Sequence, residues 1–390
     1  MRKVAIMGVG MTKFGPTEKS QVELFAEAAM EAINASNIKT KDVQALFLGN
    51  GLGDFEEGQL NLAGFCANEL GLPPETTAMR FEGACASASV AIRNAFLLVA
   101  SGAYDIVVAG GTERAFSMGT SLATRTFAMG TDSKYEEFSG LTFPGVFAML
   151  AHLYANKYNI PLPKLKERMA MVAVKNHKNG AKNPLAQFQK EITVETVLKG
   201  FVVADPLQLF DCCPFSDGGA AVVITTDEIA KKHVEKPVYI LGAGQGSAGS
   251  LCRQKDYTIM PSRIASAKQA YKMAGVGPKD INMAEVHDCF TIAEIVLLEN
   301  LGFYDFGTAS EAVEKGETEI GGKIAINPSG GLKAKGHPVG ATGAAQVYEI
   351  VKQLRGECGA RQVENAKIGM TDTLGGDAGT IVNLILGIQK

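Results

Sequence analysis

The sequence predicts an α/β protein built from two similar halves, with a mostly helical insertion in the first. Three features carry this reading. Apolar strand-like runs alternate with helical ones from the amino terminus onward, which is the rhythm of βαβ units. An order of small-residue helix, apolar strand and Gly-Gly pair occurs twice, at Cys85 to Gly111 and again at Gly340 to Gly376, as a duplicated unit would. The chain has 390 residues, beyond the size at which one core normally stops growing.

In order, Val4 to Val9 reads as a first strand, Gln21 to Ala35 as a helix, Ala45 to Leu48 as a strand and Leu60 to Leu70 as a helix. Thr77 to Phe81 is the next strand and Cys85 to Ser101 a helix stopped by Gly102, since glycine takes the left-handed turn that ends helices. Asp105 to Gly111 is apolar without alternation, the mark of a strand covered on both faces. From Thr112 to Phe215 the rhythm breaks and Lys, Asn and Pro become common, which reads as an inserted cap. The expected division is 1–111 with 216–230 for the first half, 112–215 for the insertion and 236–390 for the second half. Gly218 to Thr226 resumes the pattern, the charged run Asp227 to Lys236 reads as a linker, and Val238 opens the second unit. The two helices rich in Ala, Gly and Ser are expected to pack together at a crowded centre.

Composition narrows the function. Hydrophobic residues are 46% and charged residues 20%, an ordinary globular balance without the polarity of disorder. Formal net charge is −3 and no basic run is interleaved with aromatics, which argues against nucleic acid as a partner. The first residues are too short for a signal core, and no apolar stretch long enough to cross a bilayer is read. A soluble, cytoplasmic protein is expected. The 7 cysteines follow neither metal-ligand nor disulfide spacing, so reduced thiols are expected, with a packing role for Cys212 and Cys213.

Cys85 is the leading reactive residue. It stands at the start of a helix, where unpaired N–H groups and a partial positive charge favour an anion, so a thiolate is expected there. His287 and Cys289, in Val286-His287-Asp288-Cys289-Phe290, and His337, in Gly336-His337-Pro338-Val339-Gly340, lie at loop-to-helix transitions. Pro338 suits a first helical turn and fixes the direction of His337. Two thiols and two imidazoles fit acyl transfer through a thioester coupled to proton movement at carbon. Backbone N–H groups at Cys85 and in the Gly375-Gly376 turn are candidate oxyanion donors. His152, His177 and His233 read as structural. A metal site ranks below acyl transfer for want of paired ligand spacing, and Gly242-Ala243-Gly244-Gln245-Gly246 lacks the Lys-Ser/Thr of a phosphate loop.

These residues resemble the thiolases, in the branch with a His-Asp-Cys-Phe motif found in sterol-carrier-protein-type and archaeal acetyl-CoA acetyltransferases. The resemblance rests on Gly83 to Ser87, Gly110-Gly111-Thr112-Glu113, Lys175-Asn176-His177-Lys178, Ser216 to Ala221, His287 to Phe290, Asn327 to Gly331 and Gly336 to Gly340, and it spans essentially the whole chain. It implies a thiolase fold of two βαβαβαββ halves in five αβαβα layers, with an inserted loop domain. It implies Cys85 as the acylated nucleophile, His337 as its base and later an oxyanion donor, Cys289 as the second acid/base, and His287 as a group organising the thioester oxygen. Many thiolases take the second cysteine from a C-terminal Cys-x-Gly, where this chain has Thr373-Leu374-Gly375. A threonine hydroxyl is too weak an acid for that role, so it passes to Cys289, and the Gly375 N–H is expected to join that of Cys85 in an oxyanion hole.

The reaction so implied condenses two acetyl-CoA to acetoacetyl-CoA and CoA, feeding mevalonate and isoprenoid synthesis, with coenzyme A as substrate and product, no permanently bound cofactor and no metal. Ser247 and Ser250 are the candidate CoA contacts, and basic residues of the cap are candidates for its phosphates. The resemblance also implies a homodimer or tetramer and partnership with hydroxymethylglutaryl-CoA synthase and a small zinc-ribbon/OB-fold protein. Degradative cleavage of longer 3-ketoacyl-CoA and a non-catalytic acyl-CoA-binding scaffold are the alternatives. The Cys-His-His chemistry of ketoacyl synthases is disfavoured by the second thiol.

Overall fold

The computed structural model describes residues 2–249 and 251–388. Its strands are β1 (Val4–Met11), β2 (Ala45–Gly49), β3 (Thr77–Phe81), β4 (Ile106–Arg114), β5 (Val202–Ala204), β6 (Leu207–Gln208), β7 (Asp217–Thr226), β8 (Val238–Ser247), β9 (Met283–Glu285), β10 (Ala325–Ile326), β11 (Ile368–Gly375) and β12 (Thr380–Gly387). Ten of them form one sheet in the order β10-β9-β11-β12-β8-β1-β7-β4-β2-β3, and β5 pairs with β6 separately. The sheet is two copies of one pattern. In each half the spatial order is third, second, fourth, fifth and first strand, with parallel pairs around the second and antiparallel pairs around the fifth. The halves meet where β1 pairs antiparallel with β8, Ala5 opposite Tyr239.

Every residue of β1, β2 and β7 is buried, and alternation appears only in what each side chain meets. Ile6, Phe47, Val107 and Val222 point to the core that contains the Ser87–Ser101 and Thr342–Arg355 helices. Ala5, Leu46, Val108 and Ala221 point to the core containing the Gln21–Ala35 helix. Covering both faces removes the need for polar alternation, which is why these strands read as unbroken apolar runs. The first outer helix starts on a capping box, with Ser20 and Glu23 satisfying each other's backbone N–H.

The two small-residue helices pack on each other as expected. A Cβ on Gly343 would lie 2.0 Å from the Ser89 hydroxyl oxygen and 2.7 Å from its nitrogen, so only glycine permits this approach. Thr373 of β11 donates to the same Ser89 hydroxyl at 2.6 Å, which ties the pair to the sheet. The segment Ala84–Ser101 spans 18 residues and has the length and apolarity of a membrane-crossing helix, contrary to the expectation that no such stretch exists. Its residues are largely enclosed between the two halves, and that burial accounts for its composition.

Two other expectations change. β4 continues past Gly111 because Thr112, Glu113 and Arg114 pair with Gly219, Gly218 and Asp217, so the insertion starts three residues later than its composition shift. The expected linker is the Asp227–His233 helix, capped by the Thr226 hydroxyl, with acidic residues in its first turn and basic ones in its last, each opposing the helix dipole. Gly242, Gly244 and Gly246 lie within β8, where added Cβ atoms would strike the carbonyl oxygens of Ala270, Ser266 and Ser262 at 2.2, 1.9 and 2.1 Å. They let the Pro261–Ala274 helix rest on the strand and form no phosphate loop. The insertion itself is mostly helical, with its longest helix at Leu162–Gly180.

Replacing Gly343 with Ala is expected to lower stability by about 1–3 kcal/mol through overpacking, read as a shift of the urea unfolding midpoint. Adding Ser89→Ala should restore part of the loss, and an unchanged midpoint in the single variant would contradict the packing described.

Candidate active site

The reactive residues come from the carboxyl ends of parallel strands, where open α/β sheets bind ligands. β3 runs out at Phe81, and the chain turns through Ala84–Ala86 into the Ser87–Ser101 helix. Ala84 takes a φ of +46°, a left-handed conformation costing on the order of 1–2 kcal/mol for a residue with a Cβ. The Ser87 hydroxyl stabilises this turn by donating to the Ala84 carbonyl at 2.6 Å and accepting the Gly83 N–H at 3.0 Å. Cys85 is thereby presented at a cavity floor, half-buried, next to the Gly376 N–H, which donates to its sulfur. Gly376 has φ +61°. Gly375, the residue expected to supply this donor, is instead the last residue of β11, paired with Thr380 and packed against the Gly83 carbonyl. The turn after the strand, not the strand end, faces the thiol.

His337 is held at three points. Its N–H donates to the Ser216 hydroxyl at 2.8 Å, it bridges Phe215, and its Nδ1 lies 2.7 Å from Thr342 Oγ1. The single Thr342 hydroxyl proton goes to the Pro338 carbonyl at 2.9 Å, so Thr342 accepts from Nδ1–H, and Nε2 is left as the basic nitrogen. Pro338 precedes a short 3₁₀ turn, Val339–Ala341, and the helix proper begins at Thr342.

His287 and Cys289 follow β9 and precede the Thr291–Asn300 helix. The His287 and His337 rings meet edge to face, centroids 5.1 Å apart. Ligand atoms of Cys85, His287 and His337 all lie within 4.8 Å of one another, a convergence invisible in their spacing along the chain. His287 is 1% exposed and neither ring nitrogen has a hydrogen-bond partner among the described residues.

The backbone carrying these groups is braced by buried polar contacts. Asp288 accepts from Leu332 N at 2.7 Å and from Asn176 Nδ2 at 2.7 Å. Asn327 Oδ1 accepts from Val286 N at 2.8 Å, and Glu294 pairs with Lys175 at 2.6 Å. Lys175 is therefore a buried brace and no phosphate contact. Ser247 is exposed at the end of β8, and Ser250 lies outside the described residues. His177 packs between Phe188 and Phe210, while His152 and His233 meet Asp205 and the Asn37 carbonyl. Thr373 is buried beneath the site and bonded to Ser89.

Cys212 and Cys213 were expected only to pack, but both line the cavity with Cys85 and Cys289. The Cys213 N–H donates to the Cys289 carbonyl at 2.9 Å and Cys212 bridges Phe290, so this segment stitches the His-Asp-Cys-Phe turn to the strand carrying Ser216. Their adjacency suited packing equally well, and nothing local in the sequence distinguishes the two roles.

Burial dominates the electrostatics. It pushes the Cys85 thiol up to about 12, against the lowering effect of the Gly376 and Cys85 N–H groups, and it raises Cys289 well above the usual thiol value. The expected resting thiolate is thus overturned, because loss of solvent outweighs the helix-start field. Burial also lowers His337 to about 3 and His287 well below the normal imidazole value. All four groups rest neutral near pH 7.

The cavity above them has a volume of about 410 Å³. Its walls are mainly apolar, with Phe127, Phe143, Phe147, Phe215 and Phe290, and Phe201 at its rim is 74% exposed. A second cavity of about 270 Å³ meets Cys85 from the side of Gly51, Leu52 and Val339.

Comparison with known proteins accords with this arrangement. A model of the thiolase N-terminal domain matches residues 4–228, and a thiolase C-terminal domain-like model matches residues 244–388. An acetyl-CoA acetyltransferase of Methanothermobacter thermautotrophicus is 42% identical over 97% of this chain and 98% of its own. The benzoylsuccinyl-CoA thiolase subunit BbsB of Thauera aromatica is 37% identical over 96% of this chain and 95% of its own. A solved Ltp2-ChsH2(DUF35) aldolase superposes with a TM-score of 0.83 at 27% identity, covering 99% of this chain and 98% of that one. By sequence and fold together, the chain belongs to the thiolase family of acyltransferases.

Proposed function

We propose that the protein is an acetyl-CoA C-acetyltransferase, condensing two acetyl-CoA to acetoacetyl-CoA and CoA through an acetyl-Cys85 intermediate. The observation carrying this reading is the convergence of Cys85, His287 and His337 within 4.8 Å, beside the Gly376 N–H. The name carried by the Methanothermobacter relative supports it.

In this mechanism Cys85 Sγ attacks the thioester carbonyl as its proton passes to His337 Nε2. The carbonyl oxygen becomes an oxyanion and accepts from the Cys85 and Gly376 N–H groups. Each such donor is worth on the order of 3 kcal/mol, or about a hundredfold in rate. The neutral resting state has a purpose here: imidazolium forms only together with the oxyanion, so no unpaired charge is created in a low-dielectric site. Collapse expels CoA as a thiolate that takes its proton from the Cys289 thiol, leaving a Cys289 thiolate and a His337 imidazolium. A second acetyl-CoA then loses a methyl proton to the Cys289 thiolate, with the enolate oxygen facing His337 and His287. The enolate carbon attacks acetyl-Cys85 to form the carbon–carbon bond, and collapse breaks the carbon–sulfur bond, freeing acetoacetyl-CoA as the Cys85 sulfur takes back the proton held by His337.

A second reading concerns acyl size. The apolar cavity is larger than an acetyl group needs, and one relative is named for a benzoylsuccinyl thioester, which supports cleavage of longer or aromatic 3-ketoacyl-CoA by the same residues. We place the acetyl reaction in the cytoplasm, at the entry to mevalonate synthesis, with a small zinc-ribbon/OB-fold partner and hydroxymethylglutaryl-CoA synthase. The pairing of Ltp2 with a DUF35 protein in a solved structure supports the small partner.

Incubation with labelled acetyl-CoA should yield one acetyl group on Cys85 by peptide mass. Cys289→Ala should still acetylate but lose condensation by at least about a hundredfold, and undiminished condensation would remove Cys289 from the mechanism. Because the free thiol is neutral up to about pH 12, alkylation of Cys85 by iodoacetamide should climb about tenfold per pH unit from about 7 to 10. A plateau near neutrality would instead reveal a resting thiolate. Thiolysis rates across 3-ketoacyl-CoA chain lengths separate the two substrate readings: a sharp maximum at acetoacetyl-CoA is expected for the first.

A further inference from the structure

We propose that Cys85, His287 and His337 form a binding site for a borderline-soft divalent cation of the Zn²⁺ type, and that the ion holds the unacylated enzyme inactive. Exclusion of acyl-CoA by the ion rests on the acetyl-Cys85 reading above, whereas ion binding stands on the geometry alone.

The donor set is one thiol sulfur and two imidazole nitrogens, all within 4.8 Å of one another. Ligands of a tetrahedral zinc, with Zn–S about 2.3 Å and Zn–N about 2.0–2.1 Å, sit roughly 3.3–3.7 Å apart, so each separation has to close by no more than about 1.5 Å from the 4.8 Å limit. The second observation is His287, buried to 1% exposure, with neither ring nitrogen partnered among the described residues and one of them turned toward Cys85 and His337. Buried polar groups are nearly always paired, so this imidazole has coordinating capacity that the protein leaves unused. His337 is already arranged as zinc-bound histidines usually are, with its far nitrogen hydrogen-bonded to an oxygen that fixes the tautomer; Thr342 Oγ1 does this at 2.7 Å.

The cations that act on His287 and His337 do not oppose the ion strongly, because each is paired with a carboxylate. Arg263 pairs with Asp372 and Lys335 with Glu285, both at 3.0 Å and both buried. Binding forms a sulfur–metal bond and releases the Cys85 thiol proton to solvent. Three protein ligands leave one tetrahedral position, which faces the cavity. Acetylation of Cys85 removes the thiolate, so ion and acyl group exclude each other.

The test uses the full chain, titrated with Zn²⁺ in competition with a chromophoric chelator, and with Co²⁺ to read thiolate-to-cobalt charge transfer. One ion per chain is expected, with a charge-transfer band, and at least about tenfold weaker binding in Cys85→Ser and in His287→Asn. The ion should block labelling of Cys85 by acetyl-CoA until EDTA is added, and enzyme acetylated beforehand should bind none. Equal affinity in a folded Cys85→Ser variant, a cobalt complex without the thiolate band, or unimpeded acetylation at saturating Zn²⁺ would each overturn the proposal. Ion binding with the expected spectrum in a protein that acetyl-CoA never labels would keep the site and reject the acetyltransferase reading instead.

Discussion

The Ser87–Ser101 and Thr342–Arg355 helices must lie against each other between the two halves, and the position of each reactive group follows from that contact. Each helix follows the third strand of its half and precedes the fourth, so the turns that open them are equivalent in the duplicated unit. One turn carries Cys85 and the other follows directly on His337. Two copies of a single crossover, brought face to face, thereby supply a nucleophile and its base. The second strand of the second half adds His287 and Cys289, and the turn after its fourth strand adds Gly376. No long-range coincidence of loops is required, because the strand ends are already together.

Dense burial makes the site dry, and dryness determines how charge is handled. Permanent ions are confined to the scaffold, as Lys175 with Glu294, Lys335 with Glu285 and Arg263 with Asp372. Such buried pairs add little net stability but are costly to break singly, so they fix the backbone around the thiols. The reactive groups stay neutral until a substrate carbonyl accepts charge from them. Reactivity is thus withheld from solvent and from small electrophiles, and is released by the substrate's own polarisation.

Much of this was legible in the sequence. Apolar runs without alternation gave the doubly covered strands, and the glycine-rich turns marked Cys85 and His337. The failures have distinct physical causes. A helix-start cysteine reads as a thiolate because the local field is encoded nearby, whereas the burial that outweighs it is made in a cavity shared with residues far along the chain, such as Phe127 and Cys213. Gly375 and Gly376 are indistinguishable as letters, and only the place where β11 ends shows that the N–H of Gly376 turns to the sulfur. The row Gly242, Gly244, Gly246, already set aside as a phosphate loop for want of Lys-Ser/Thr, has a period of two, which suits a helix lying on a strand. Cys213 carried no signal, since its neighbourhood is made by pairing with Cys289 across the sequence.

The insertion is bonded into the second half through Asn176 to Asp288, Asn179 to the Asn327 carbonyl and Asn183 to the Ser329 carbonyl. A segment so anchored cannot swing away like a hinged lid without stripping hydrogen bonds from the very turn that holds His287 and Cys289. This part of the insertion is therefore fixed to the second half beside that turn. Traffic through such a bore favours a guest with a slender flexible arm ending in its reactive group, and bulk at the far end can remain outside. A guest reaching Cys85 therefore has to enter without that segment swinging aside around it.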